Sequence, residues 1–265
     1  MIVYKYYPDN CNTFNALSNG YFFFSKAAKL NDPYDCSFKL IGSTQLAQTL
    51  IDGDFISVNS EQIMDEYGTC SFSKAKDSMH MWSFYANCFK GVVVGFDDSK
   101  FERISEPYLA RIFYYDVQYM SQMIDADDPN QSFVVKRLFG SATNMSIKIS
   151  DIFRNIKNME KFFEYLCTIK NVCWKDEKER RLMVAGDFYK KENRTRLIEH
   201  GVEFLPTGYK IPIPDGAIKS IIIGHNMNKK FYPIIKSLAQ KYGVPTIEQT
   251  VINHPFDISF KPIIL

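Results

Sequence analysis

The sequence predicts an α+β fold, a single domain over 1–265 on a curved or split, mainly antiparallel sheet with helices packed around it. Three observations predict it. Runs of β-branched and aromatic residues of strand length recur near both ends of the chain. Helical spacing of apolar residues is confined to short stretches and one central block. Aromatic residues reach 15%, from 22 Phe, 16 Tyr and 2 Trp, and Tyr21 to Phe24 is a dense aromatic run of strand length.

The elements follow in order. Ile2 to Tyr7 reads as a first strand, ended by Pro8-Asp9-Asn10. Thr13 to Leu17 reads as a helical turn stopped by Asn19-Gly20, and Tyr21 to Phe24 as a strand. Asn31-Asp32-Pro33 makes a turn, because the residue before proline is held extended. Ser43 to Ile51 and Ser60 to Tyr67 have helical spacing. Gly68 to Ser73 is a short strand, Met79 to Cys88 a helix, and Gly91 to Phe96 and Ala110 to Val117 are strands. A helical insert is expected at about 125–172, with helices near 130–145 and 149–172. Strands return at Arg180 to Ala185 and Ala217 to Ile223. Asn228 to Tyr242 reads as a helix with Pro233 in its first turn, and Thr246 to Ile252 as a last strand.

Composition narrows the function. The 32 Lys and Arg against 30 Asp and Glu leave a net charge of +2, which argues against a whole-protein electrostatic grip on nucleic acid. The densest basic run, Lys190 to Arg196, reads as a solvated helix face and is the first choice if nucleic acid is touched. No apolar run approaches a membrane span and the opening residues do not form a signal peptide, so a cytoplasmic protein without membrane contact is expected. The six cysteines form no Cys-x-x-Cys pair and no two of the four histidines have helical metal-site spacing, so no metal is expected. No phosphate-binding glycine motif occurs.

Four constellations could carry chemistry. In Lys170-Asn-Val-Cys-Trp174-Lys-Asp-Glu177-Lys-Glu179-Arg180-Arg181, two glutamates two apart share a face if the chain is extended. Like charges there need a cation or ligand hydroxyls. The pair suits a base or stabilisation of a cationic, sugar-like transition state, or else is a solvated charged turn or makes ion pairs with Lys170, Arg180 or Arg181. Ser71 and Ser73 alternate with Phe72, so paired hydroxyls face one way, to orient a ligand or to make a polar strand edge. Trp82 and Tyr85, three apart on a helix, line an aromatic pocket or pack a core, and His80 beside them is a proton carrier or a cap. Asn31, Asp32 and Asp35 make an Asx-type turn, or bind a metal or ribose hydroxyls.

Together these motifs resemble the bacterial family catalogued as domain of unknown function 2971. They are Tyr4-Lys5-Tyr6, Asn31-Asp32-Pro33-x-Asp35, Ser71-Phe72-Ser73, Met81-Trp82-Ser83-x-Tyr85 with Lys90-Gly91, and Lys170-x3-Trp174-x2-Glu177-x-Glu179-x-Arg181, from the first strand to about residue 225. The chain departs from that family at Phe84 and Phe89, where histidines are common. The order of parts also resembles, more distantly, that of ADP-ribosyltransferases. That resemblance implies NAD as substrate, a nucleic-acid or protein acceptor, and a role in toxin or antiviral defence. It implies Glu179 as the catalytic carboxylate, Glu177 as the residue orienting the acceptor, and Ser71 and Ser73 positioning NAD. Tyr4 or Lys5 takes the first-strand place, where this chain lacks the usual Arg or His; Trp82 and Tyr85 form the wall, and Asn31 and Asp32 bind the nucleotide. The alternatives are a non-catalytic ligand-binding or interaction module, and a metal-dependent nuclease using Asp32, Asp35, Glu177 and Glu179.

Overall fold

In the computed structural model the described residues are 1–26, 29–32, 34–36, 67–101, 111–121, 166–185, 195, 197–253 and 257–264. They carry β1 (Ile2–Tyr7), α1 (Cys11–Asn19), β2 (Tyr21–Lys26), β3 (Gly68–Ser73), α2 (Met79–Phe84), β4 (Val92–Asp97), β5 (Arg111–Asp116), β6 (Gln118–Met120) and β7 (Ile169–Asn171). After these come β8 (Glu179–Ala185), β9 (Glu203–Leu205), β10 (Gly208–Pro212), β11 (Ile218–Ile223), α3 (Tyr232–Tyr242), β12 (Ile247–Asn253) and β13 (Asp257–Ile263). The chain divides into two compact units. One comprises Met1–Ser25, Thr69–Asp116 and Lys175–Leu265; the other comprises Lys26–Gly68 and Val117–Trp174.

The first unit is built on an 11-stranded sheet in the order β13-β12-β11-β4-β1-β3-β2-β10-β9, with β8 branching from β3 and β5 pairing with β8. The fold is α+β with a mainly antiparallel sheet: β1 runs antiparallel to both β3 and β4, and β2 to β10, while β11 and β12 run parallel, joined through α3.

Alternation assigns the two faces. Val3 and Tyr7 of β1, Cys70 and Phe72 of β3, Val92, Val94 and Phe96 of β4 and Leu182 and Val184 of β8 enter the main core. Phe14 and Leu17 of α1 and Ile235, Leu238 and Ala239 of α3 join them. Asn10 caps α1 by accepting from Thr13 N, and Gly20 ends it at φ 71°, where a side chain is disfavoured. Four phenylalanines hold the centre: Phe22 lies 5.5 Å from Phe72, 5.0 Å from Phe96 and 5.6 Å from Phe101 between ring centroids. On the opposite face α2 lays Met81 and Trp82 against Tyr6, Val93, Ile222 and Ile258, with Tyr4, Tyr85 and Phe260 partly buried beside them.

The structure corrects some expected boundaries. The helix expected from Met79 to Cys88 ends at Phe84, because Asn87, Cys88 and Phe89 all take left-handed backbone at φ 46°, 52° and 64°. Ile169–Asn171, expected to be helical, is a strand parallel to β6 in the second unit. There a short apolar pair with a polar neighbour is ambiguous in period, and pairing decides it. Pro233 lies in the first turn of α3, as its fixed φ requires. The expected helices at 43–51, 60–66, 130–145 and 149–165, most of the insert at 125–172, and the basic residues 190–194 and 196 lie outside the described residues.

Candidate active site

On β3, Cys70 and Phe72 enter the main core, so Thr69, Ser71 and Ser73 point to the other face. On β8, Leu182 and Val184 enter the core, so Glu179 and Arg181 point away from it as well. β3 and β8 are paired, so this face carries a buried polar cluster in the first unit. Glu177 is 2% exposed, Glu179 4% and Arg181 1%. Arg181 holds Glu179 at both oxygens, Nε to Oε1 at 2.7 Å and Nη2 to Oε2 at 3.1 Å. The fork-shaped guanidinium matches a carboxylate bidentately, and burial makes the pairing obligatory. Arg181, one of the expected cations, thus meets Glu179.

Glu177 and Glu179 do not lie on one extended strand. Residues Val172–Glu177 form a 3-10 turn, Lys178 takes φ 46°, and β8 begins at Glu179. The expectation that both carboxylates share a face through simple alternation is therefore corrected. Glu177 instead accepts a 2.5 Å hydrogen bond from the hydroxyl of Tyr85, 92 residues away. Tyr85 closes α2 as its C-cap and is half-buried at the rim of the second core.

The other expected residues have definite places. Ser73 Oγ donates to the carbonyl of Glu177 at 2.6 Å and accepts from Ala75 N at 3.1 Å. Its hydroxyl is fully buried, so it works on the backbone. Ser71 lends its carbonyl to Lys5 Nζ at 3.0 Å. That ammonium lies 5.4 Å from the Phe72 ring centre and 5.7 Å from that of Tyr7, which places Lys5 on the main-core side of β1. Tyr4 lies on the other side, in register with Ser73. Burial, with Glu248 and Asp77 adding, raises its phenol above the ordinary value. Trp82 is fully buried, its Nε1 donating to the Lys76 carbonyl at 2.8 Å and its ring stacked on Phe89 at 5.5 Å. It packs core, while the Tyr85 hydroxyl reaches the Glu177 carboxylate. His80 rests its ring against Phe84 at 4.7 Å.

Asn31, Asp32 and Asp35 belong to the second unit, whereas Glu177 and Glu179 belong to the first. Asp32 Oδ1 accepts from Tyr34 N at 2.9 Å, the Asx turn that the sequence predicts, while its buried Oδ2 has no hydrogen-bond partner. Lys170 lies 3.9 Å from Asp35 Oδ2 and 4.9 Å from the ring centre of Trp174. Among the described residues no group of three or more His, Cys, Asp and Glu could hold a metal ion. Sequence reasoning missed Lys178, since nothing in its residue type signals a left-handed backbone.

Fold and site define an α+β protein with a buried glutamate–arginine–tyrosine cluster on the second face of a branched, mainly antiparallel sheet. Residues 81–182 match the family described as Protein of unknown function (DUF2971). The match covers α2 from Met81 onward and the segment from Trp174 to Arg181, and so contains Tyr85, Glu177, Glu179 and Arg181. No curated protein matches the chain. No solved structure matches it either. No helix among the described residues is long and apolar enough to cross a membrane.

Proposed function

We propose that the first unit is an NAD-using ADP-ribosyltransferase or glycohydrolase whose reacting carboxylate is Glu177. The observation that supports it is the Tyr85–Glu177 hydrogen bond, which joins two of the expected site residues from distant segments beside the Ser-Phe-Ser strand. Both oxygens of Glu179 are taken by Arg181, so the catalytic part first expected of Glu179 passes to Glu177, with Glu179 as a fixed neighbour. In the reaction the bond between ribose C1′ and the nicotinamide nitrogen breaks, and the electron pair leaves with nicotinamide. A nucleophilic oxygen or nitrogen then adds to C1′ and gives up its proton to solvent water. With Tyr85 still holding it, the Glu177 carboxylate accepts from a ribose hydroxyl and faces the cationic sugar. An interaction that strengthens as charge develops is the kind that raises the rate. Tyr4 and Ser71 remain candidates for contact with the nucleotide; toxin or antiviral defence is the biological setting that fits consumption of NAD.

The test is incubation of the purified protein with NAD, chromatography for free nicotinamide, and calorimetric titration. Glu177→Gln is expected to lower the rate about a hundredfold or more. A protein that neither binds nor cleaves NAD at millimolar concentration overturns the reading. A second reading, a binding module without chemistry, is favoured by the Arg181 clasp on Glu179 and the full burial of Trp82. NAD bound but recovered intact would establish it.

A further inference from the structure

We infer that Lys178 is a positioning residue that acts through its backbone, its left-handed conformation delivering Glu177 to Tyr85. The inference rests on the NAD reading for its catalytic consequence and on geometry alone for its structural one. A residue with a Cβ disfavours this conformation, and such a backbone persists where its surroundings over-determine it. Those surroundings are visible here. Three consecutive carbonyls accept from one short segment of the chain: Asp176 O from Ser78 Oγ at 3.4 Å, Glu177 O from Ser73 Oγ at 2.6 Å and Lys178 O from Lys74 N at 3.0 Å. Lys178 N itself donates to Lys175 O at 3.2 Å, closing the turn. The lysine side chain is exposed, so its ammonium is not what the position requires.

The kink has a chemical consequence. An uninterrupted strand would set Glu177 and Glu179 on one face as adjacent like charges. The left-handed residue parts them, sending Glu177 to the tyrosine hydroxyl and Glu179 to the guanidinium. Ser73, whose hydroxyl also accepts from Ala75 N, belongs to the same device. Residues 73–78 thus fix the glutamate from its main chain, and Tyr85 fixes it from its tip.

The experiment compares Lys178→Gly, Lys178→Val and Ser73→Ala with the parent in the full chain. Crystal structures read the Tyr85–Glu177 contact, and initial rates of nicotinamide release read kcat and KM. Glycine adopts the left-handed region without strain and valine does not. Lys178→Gly is expected to keep the contact, with kcat within about twofold of the parent. Lys178→Val and Ser73→Ala are expected to lose the contact, with kcat reduced about a hundredfold and KM little changed. If the valine variant does not fold, the serine variant reads the same displacement. The inference is overturned if the contact survives in folded Lys178→Val or in Ser73→Ala, or if Lys178→Gly loses it. A parent protein that cleaves no NAD sinks the functional reading alone, and the crystal structures still decide the positioning.

Discussion

At the scale of the residue, the buried charges govern both stability and what the site can do. Arg181 and Glu179 lie two apart on β8 and bind each other bidentately in the interior. Replacing Arg181 by Met strips the guanidinium from a buried carboxylate, and the expected cost is about 3–5 kcal/mol. Replacing both, as Arg181→Met with Glu179→Leu, is expected to restore most of that, because a buried pair exchanged for apolar side chains of similar volume is often near neutral. Urea unfolding of the two variants and the parent checks this; a single variant as stable as the parent would show that the pair carries no burial penalty. The residue types of this site were legible in the sequence, since Glu177, Glu179, Ser73 and Tyr85 all fall in the cluster. Their pairings were not. Which of several nearby cations meets a glutamate depends on strand register. Whether a serine faces ligand or backbone depends on a backbone conformation that lysine gives no sign of.

At the scale of the element, tertiary bonds hold the segment after α2 in a disfavoured backbone conformation. Asn87, Cys88 and Phe89 are left-handed in succession, held by Asn87 Nδ2 to Asp9 Oδ1 at 2.6 Å and by Asn226 N to Phe89 O at 3.0 Å. Gly224 must be glycine here, because a Cβ would lie 1.9 Å from the Phe89 carbonyl oxygen. Cys88 is exposed, so its side chain adds little to set against the strain. Cys88→Gly is expected to stabilise the protein by about 0.5–1 kcal/mol, the left-handed penalty outweighing the added freedom of the unfolded chain. Cys88→Val should move the urea midpoint the other way; equal midpoints would mean that the turn is unstrained. Strong periodicity made most strands and α3 legible, down to Pro233 in the first turn. The end of α2 was not legible, because Cys88 and Phe89 are ordinary helix residues and tertiary bonds to Asp9 and Asn226 override them. β6, β9, β10 and β13 were missed for a related reason: short or proline-containing strands are defined by the strands they pair with, β6 by β7, β9 by β10, β10 by β2 and β13 by β12.

At the scale of the whole molecule, the aromatic excess of the sequence becomes a pH response. Burial raises the phenols of Tyr4, Tyr6, Tyr7 and Tyr114 above their ordinary value. A phenol whose pKa is raised in the folded state keeps its proton after the unfolded chain has lost its own. Below pH of about 10 both states are protonated and stability is unaffected. Above it the unfolded chain binds fewer protons, so stability falls as pH rises, by up to about 1.4 kcal/mol per pH unit for each fully buried phenol. The thiol of Cys70, also raised by burial although Lys5 opposes the shift, adds in the same direction from a lower starting pH. Tyr7 is the clearest single case, because its buried hydroxyl has no hydrogen-bond partner and burial is the largest cause of its shift. Tyr7→Phe removes an unsatisfied polar atom and is expected to stabilise by about 1 kcal/mol at neutral pH. Above the phenol range its advantage should widen, because one titrating group has left the core. Urea midpoints of the parent and Tyr7→Phe at pH 7, 9 and about 11 measure both effects. Parallel midpoint curves across that range would mean that Tyr7 titrates alike in the folded and unfolded chain, and the alkaline response would then have to come from Tyr4, Tyr6, Tyr114 and Cys70 alone.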